Sequence, residues 1–151
     1  MKNLFVGFLL IATCSQALAS TENINTIAGM LSIIDTQESV YGSTLTLDGK
    51  TVYTNELIGT ALDSRFLLNG DDVLLFSGGR SASCASYFFV TISQSKNADV
   101  SSEFGTCSDY AKSQVKGNSI IVTMPENQKK YAKFIFKNGV VYQNGKAILN
   151  K

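Results

Sequence analysis

The amino-acid sequence predicts a mainly β protein, an antiparallel meander that folds as a β-sandwich or an open barrel. Short runs of β-branched and aromatic residues are broken repeatedly by Asn-Gly or Asp-Gly, the strongest short-range signal for a β-hairpin. With 151 residues, 44% hydrophobic content and a single proline, the chain can bury one ordinary core. The hairpin signals recur at irregular spacing, which disfavours a propeller or a solenoid.

The first 19 residues are typical of a targeting segment. Lys2 supplies a positive charge, residues 4–13 form an apolar run too short to span a bilayer, and Ala17-Leu18-Ala19 has the small-x-small pattern of a cleavage site. We therefore expect a signal peptide over residues 1–19, cleavage between Ala19 and Ser20, and one β-rich domain over residues 20–151 with no transmembrane segment. This predicts a periplasmic or secreted protein.

A lipoprotein anchored through Cys14 is a second, less favoured possibility. The stretch Ile11-Ala12-Thr13-Cys14 is similar to a bacterial lipobox, in which the cysteine becomes the acylated first residue. It departs from that pattern at Thr13, where the motif calls for Gly, Ala or Ser.

The first element after the targeting segment is predicted to be a short N-terminal helix within residues 21–39. That stretch lacks the glycine-turn signals found later in the chain, and its apolar residues recur at helical spacing. They are Ile24, Ile27, Ala28, Leu31 and Ile34.

Eleven candidate strands follow. They are separated by four predicted tight turns and a looser one. The tight turns are Asp48-Gly49, Asn69-Gly70, Asn138-Gly139 and Asn144-Gly145, and the looser one is Lys116-Gly117-Asn118. The strands are predicted over residues 43–47, 51–54, 57–62, 65–68, 73–76, 86–93, 99–104, 119–124, 131–137, 140–143 and 146–149.

The strand at residues 86–93 is predicted to be central, because both of its faces carry apolar side chains. Residues 119–124 show the same pattern and are its expected companion in the core. Pro125 is expected to end that strand, since proline cannot donate to a ladder. In residues 131–137 polar and apolar side chains alternate, as expected for a strand with one wetter face.

Two cysteines, Cys84 and Cys107, lie beyond the targeting segment and predict a disulfide, since an even pair in an exported protein is typically oxidised. If the strands on either side of a turn near Lys96 form a hairpin, register counting places Cys84 close to Ser108 and so to Cys107. A metal-binding or reactive thiol pair is disfavoured, because the spacing is not C-x-x-C and the chain has no histidine.

The stretch CASYFFVTI at residues 84–92, followed by EFGTCSD at residues 103–109, resembles a group of small, uncharacterised, exported disulfide-containing β proteins of Gram-negative bacteria. The resemblance covers the middle third of the chain. It implies export and a disulfide, and it implies nothing about activity. At the level of architecture, the chain is also similar to periplasmic lysozyme inhibitors, although their inhibitory loop motif has no counterpart here.

Catalytic signatures are incomplete, so we expect no enzyme, no metal site and no cofactor. The lack of histidine excludes Ser-His-Asp and Cys-His catalysis as well as His-ligated zinc. Ser-x-x-Lys occurs at residues 93–96 and 113–116, without the partner motifs of penicillin-recognising enzymes. The carboxylates of Asp71 and Asp72 are predicted to continue a hairpin turn.

The charge balance disfavours a nucleic-acid ligand. The whole chain has a formal net charge of +1, and removing residues 1–19 takes away one lysine and leaves zero. The basic residues Lys129, Lys130 and Lys133 are predicted to be an ordinary solvated surface.

These observations predict a non-enzymatic binding or inhibitory module, of the lysozyme-inhibitor or toxin-immunity kind, whose partner is another protein. The alternative is an envelope structural or assembly factor that is lipid-anchored or self-associating. The segment 78–83 is expected to be a flexible loop, held at one end by the disulfide and suited to contacts. Arginine and tyrosine are enriched at binding hot spots, so the candidate interaction residues are Arg80, Ser81 and Ser83 in this segment, with Tyr87 and Tyr110.

Overall fold

The computed structural model describes residues 21–35 and 42–149, which form thirteen β-strands and no helix. The predicted signal peptide, Cys14 and residues 36–41 lie outside the described residues. The strands are β1 Thr21–Thr26, β2 Gly29–Asp35, β3 Ser43–Leu47, β4 Lys50–Asn55, β5 Ile58–Leu68, β6 Asp71–Ser81, β7 Cys84–Ile92, β8 Ala98–Val100, β9 Lys112–Lys116, β10 Ser119–Asn127, β11 Lys130–Lys137, β12 Val140–Gln143 and β13 Lys146–Ala147.

These strands form three antiparallel sheets, and each sheet is a meander of consecutive strands. The N-terminal sheet contains β1 to β4, the middle sheet β5 to β8 and the C-terminal sheet β9 to β13, each in chain order. The all-β antiparallel fold class is confirmed, and the sheets pack in a sandwich-like arrangement.

The middle sheet is covered on both faces, because side chains alternate in direction along a strand. Phe76 and Phe88 belong to the core shared with the N-terminal sheet, whereas Leu75 and Phe89 belong to the core shared with the C-terminal sheet. Fully burying each such side chain stabilises the fold by about 1.5–3 kcal/mol. This confirms that residues 86–93 form a central strand, and Val122 of the predicted companion strand packs in the second core.

The four predicted Asn-Gly and Asp-Gly turns are confirmed. In each of them both residues have positive φ, as at Asn69 (55°) and Gly70 (88°). Asparagine, aspartate and glycine tolerate this left-handed region better than other residues, so the residue types themselves select the tight hairpin.

The predicted N-terminal helix is wrong over residues 21–35, where β1 and β2 form a hairpin through Ile27 and Ala28. Ile24, Leu31 and Ile33 face the core, so a turn between two alternating strands imitates helical spacing. Gly29 has φ of 144°, and a Cβ there would collide with the Asp48 carboxylate. That carboxylate accepts a hydrogen bond from the backbone N–H of Met30. The close approach of these two hairpins therefore requires glycine.

Several strand boundaries also differ from the prediction. The two strands predicted over residues 57–62 and 65–68 are one continuous strand, β5, with irregular register. β9 was not predicted, and β8 ends at Val100. Pro125 lies inside β10 instead of ending it, because β9 pairs only as far as Thr123 and a register shift follows the proline.

A buried carboxylate ties the N-terminal hairpin to the middle sheet. Asp72, predicted in a turn, instead lies within β6 and is 1% exposed. Its oxygens accept two hydrogen bonds from the Arg65 guanidinium, both 2.8 Å, and one from the backbone N–H of Ile27 at 2.7 Å. Three charge-assisted bonds offset the cost of burying this charge.

Candidate functional site

A polar groove of about 500 Å³ lies where the β4–β5 connection meets the end of β6 and the segment after β8. The residues that line it come from the N-terminal and middle sheets, so the groove exists only in the folded protein. They are Tyr53, Thr54, Asn55, Glu56, Leu57, Arg80 and Glu103.

The disulfide beside this groove is confirmed. Cys84, the first residue of β7, is bonded to Cys107, 23 residues later. Tyr87 and Phe104 exchange backbone hydrogen bonds of 2.8 Å between the same two segments, one residue from the register counted about Lys96, which would place Gly105 opposite Tyr87. The disulfide and this bridge hold residues 101–107 against β7, and therefore fix the backbone of Glu103.

Glu103 is the hub of the groove, because its carboxylate accepts hydrogen bonds from three strands. Arg80 on β6 donates to Oε2 through Nη2 at 2.7 Å and through Nε at 3.1 Å. Ser86 on β7 donates to the same oxygen at 3.3 Å, and the Tyr53 hydroxyl on β4 donates to Oε1 at 3.4 Å. Burial, and then the charge of Glu103, raises the pKa of Tyr53, so this phenol stays protonated as a donor.

The Arg80 guanidinium is oriented by Glu103 but is not buried. Its side chain is 61% exposed, and Nη1 makes no hydrogen bond to the described protein atoms. The ion pair itself adds little stability at such exposure. The ion pair holds the edge of the planar guanidinium that carries Nε and Nη2, while the N–H groups of Nη1 stay open to a partner.

Asn55 carries an unsatisfied donor. Asn55 is 5% exposed, and its Oδ1 accepts hydrogen bonds from the Leu57 N–H at 2.8 Å and from the Thr60 hydroxyl at 3.3 Å. These bonds fix the amide, and Nδ2 has no acceptor among the described residues. A buried polar group without a partner is costly, so such groups are rare in native structures.

The segment expected to be a flexible loop is mostly strand. β6 continues through Ser81 and pairs with β7, which leaves only Ala82 and Ser83 as the turn. Gly78 allows this extension, because a Cβ there would lie 2.8 Å from the Cβ of Leu57. Ser81 and Ser83 are exposed at this hairpin end.

The two predicted tyrosines do not line the groove. Tyr87 is 1% exposed and packs in the core, where its hydroxyl donates to the Ser108 carbonyl at 3.0 Å. Burial raises the pKa of Tyr87 to about 12. Tyr110 is 78% exposed and lies after the disulfide, outside the set of groove residues.

The sequence predicted Arg80 as a candidate interaction residue but did not identify Tyr53, Asn55 or Glu103 as site residues. Nothing in the sequence pairs residue 53 or 55 with residue 80 or 103, because these contacts join different sheets.

The Ser-x-x-Lys motifs do not assemble a nucleophile and a base. Lys96 donates to Asp48 at 2.8 Å, while the Ser93 hydroxyl contacts Ser95. Ser113 contacts Ser64 on β5, and Lys116 projects from the opposite face of β9 because the two are three residues apart on a strand. Within residues 21–35 and 42–149, no group of three potential metal ligands is brought together.

No family model matches the chain, and comparison with curated proteins and with solved structures also found no match. In the described part of the chain, no helix is long and apolar enough to cross a membrane. The disulfide is compatible with an oxidising compartment.

Proposed function

We propose that this chain is an exported, non-enzymatic binding protein whose groove receives a segment of another protein. The observation that carries the proposal is the Arg80 guanidinium, which is exposed in the groove and is held by the Glu103 carboxylate while its Nη1 is not used by the described protein atoms. It is positioned by another protein group before any partner arrives. Such preorganisation reduces the entropy cost of binding.

The chemistry of the groove favours a partner segment that is rich in acceptors. Arg80 offers exposed N–H groups, so a backbone carbonyl or a carboxylate on the partner supplies the acceptor that they need. A hydrogen bond to a charged group contributes about 1.5–3 kcal/mol, and it orients the segment as well as holding it.

The scaffold supports recognition without large rearrangement. The groove residues sit on strands of two packed sheets, and the Cys84–Cys107 disulfide anchors the segment that carries Glu103. In preorganised complexes the interface backbone usually moves little on binding. Export is inferred from the targeting pattern of residues 1–19 and from the cysteine pair.

The partner can be identified by photocrosslinking from the groove itself. A photoreactive amino acid at Glu56, an exposed groove residue, should give one discrete adduct with a protein of the periplasmic or culture extract. The same amino acid at Thr51, exposed on the N-terminal sheet away from the groove, is the matched control. Equal adducts from both positions, or none from Glu56, argue against a groove-bound partner.

The purified partner then tests the role of Arg80. We expect Arg80→Ala to weaken binding at least about tenfold. Arg80→Lys should keep part of the affinity, because lysine retains the charge but cannot form the paired hydrogen bonds of a planar guanidinium. Lys50→Ala removes an exposed cation outside the groove and should leave affinity unchanged. The inhibitory version of the proposal also predicts slower turnover by a cell-wall hydrolase that forms the adduct. Unchanged binding by Arg80→Ala contradicts the proposal.

A further inference from the structure

Charge is segregated along the chain and therefore between the sheets. Residues 110–149 contain one carboxylate, Glu126, and seven lysines. Residues 21–35 and 42–109 contain ten carboxylates and four basic residues. The near-zero net charge of the chain thus conceals a basic C-terminal sheet joined to an acidic remainder. The seven lysines are Lys112, Lys116, Lys129, Lys130, Lys133, Lys137 and Lys146.

Four of these lysines share the outer face of the C-terminal sheet, the face that points away from the core. Val122 and Phe134 are inward-facing partners in the register, so Thr123 and Lys133, one residue further along each strand, face outward. Lys112 pairs with Thr123, and Lys116 pairs with Ser119 on the same side. Lys137 lies four residues beyond Lys133 on β11, so its side chain points to the same side of the sheet.

The lysines surround an apolar centre. Ile121 pairs with Ile135, and Ile135 pairs with Tyr142, which forms an apolar row across β10, β11 and β12. Lys112 and Lys133 lie on one side of this row, and Lys116 and Lys137 on the other. With strands about 4.8 Å apart and about 3.3 Å per residue, the four lysines mark a rectangle of about 10 by 13 Å.

The positive charge on this face is not neutralised within the protein. All four lysines are exposed, and none forms an ion pair with another described residue. In contrast, three of the four cations in the other two sheets, Arg65, Arg80 and Lys96, are each paired with a carboxylate. We therefore call the face marked by Lys112, Lys116, Lys133 and Lys137 the basic face.

We propose that the basic face binds the surface of an anionic lipid bilayer. Lysines around an apolar centre offer both components of interfacial binding, because the ammonium groups meet lipid phosphates while the partly exposed side chains of Ile135 and Tyr142 contact the headgroup region. Ile121, between them and β9, is only 7% exposed and does not take part. Tyr131 extends the face and is 69% exposed, with the apolar ring and polar tip that suit this region. The acidic remainder of the molecule is repelled by the same surface, so the charge separation orients the protein.

A second copy of the chain is a poorer partner for this face. The outer face of the N-terminal sheet is uncharged, with the register row Ser32, Thr46 and Thr51 running across it. No matching acidic plane is therefore available on that sheet. The basic face and the groove lie on different sheets, so this inference stands apart from the proposed function.

Vesicle cosedimentation of the purified protein tests the inference. The probe is a vesicle of phosphatidylcholine containing about one third phosphatidylglycerol, with pure phosphatidylcholine as the uncharged comparison. We expect binding only to the anionic vesicle, and a steep loss of binding as salt is raised. Because each lysine near an anionic surface strengthens binding about fivefold, Lys112→Gln with Lys133→Gln should weaken it about 25-fold.

The matched control removes the same charge elsewhere. Lys50→Gln with Lys146→Gln leaves the four lysines of the basic face in place and should weaken vesicle binding less than about fivefold. All substituted side chains are exposed, so the variants should melt at the wild-type temperature, which circular dichroism can verify.

Four results would overturn the inference. The first is failure to bind anionic vesicles at low salt, and the second is an equal loss of vesicle binding in the two double variants. The third is tighter binding to double-stranded DNA than to vesicles at the same phosphate concentration, and the fourth is low-salt self-association that depends on Lys112 and Lys133. Either of the last two reassigns the basic face to another partner.

Discussion

Removing the disulfide gives the sharpest test of how the groove is held. Replacing both Cys84 and Cys107 by alanine opens a covalent loop whose ends are 23 residues apart. The loop-closure relation gives a destabilisation of about 3.4 kcal/mol for a loop of this length, because the unfolded chain regains the freedom that the bond removes. The corresponding fall in melting temperature is about 10 °C.

The folded state should survive this change. Tyr87 and Phe104 still exchange their backbone hydrogen bonds, and Phe104 still packs in the core between the middle and C-terminal sheets. Arg80 and Glu103 therefore stay paired, and the effect should fall on the unfolded state. Urea denaturation should show the loss in unfolding free energy together with a larger m-value, since an unlinked chain exposes more surface.

Wild-type protein under reducing conditions is the matched control, and its denaturation curve should coincide with that of the double alanine variant. A loss below about 1 kcal/mol would refute the loop-closure reasoning. A loss far above about 5 kcal/mol would show that the bond also holds the native packing of residues 101–107.

Three further predictions concern the core and pH. Asp72→Asn should lower the free energy of unfolding, measured by urea denaturation, by about 2–4 kcal/mol, because it removes the charge that pairs with Arg65. Asp71→Asn is the control and should lower it by less than about 0.5 kcal/mol. Phe89→Ala should cost about 3–5 kcal/mol by the same assay, since this buried ring stacks on Phe136 at 4.3 Å, and a smaller loss would mean that the core refills the cavity. Burial raises the pKa of Tyr87 to about 12, above its unfolded value of about 10. Its contribution to stability is therefore complete below pH 10 and lost as pH rises toward 12, so Tyr87→Phe should show a shallower decline of unfolding free energy over that range than the wild type.

The hairpins could be predicted from the sequence because their determinants are local. Asn69 and Gly70 adopt positive φ by residue type, and this fixes the strands on either side. The disulfide was predictable for a related reason, since the turn near Lys96 sets the approximate register of the segments behind it, although that register shifts by one residue between the Val90–Val100 and Tyr87–Phe104 pairs. The N-terminal helix was predicted wrongly because a hairpin whose turn falls between Ile24 and Leu31 repeats apolar residues at nearly helical spacing.

The groove was much less predictable. Arg80 was predicted because arginine is enriched at binding hot spots and this one lies in a segment that was expected to be an exposed loop. Its contacts with Tyr53, Asn55 and Glu103 depend on how the β4–β5 connection packs against β6, and no local pattern encodes that packing. Gly78 illustrates the difference, because the sequence predicts flexibility there while the structure needs glycine for close contact with Leu57.

The basic face shows why net charge alone is a poor guide to partners for this fold. The expectation of no polyanionic ligand was drawn from a charge that sums to almost zero. In a meander, however, consecutive strands enter the same sheet, so a block of like charge in the sequence is gathered on one sheet of the molecule. None of the seven lysines within residues 110–149 forms an ion pair with a described carboxylate. At physiological salt, electrostatic interactions are screened over about 8 Å, so the acidic part of the molecule has little influence at the basic face. A partner at that face therefore interacts with the lysines and not with the net charge of the whole chain. For a protein built of sequential sheets, charge is best counted sheet by sheet.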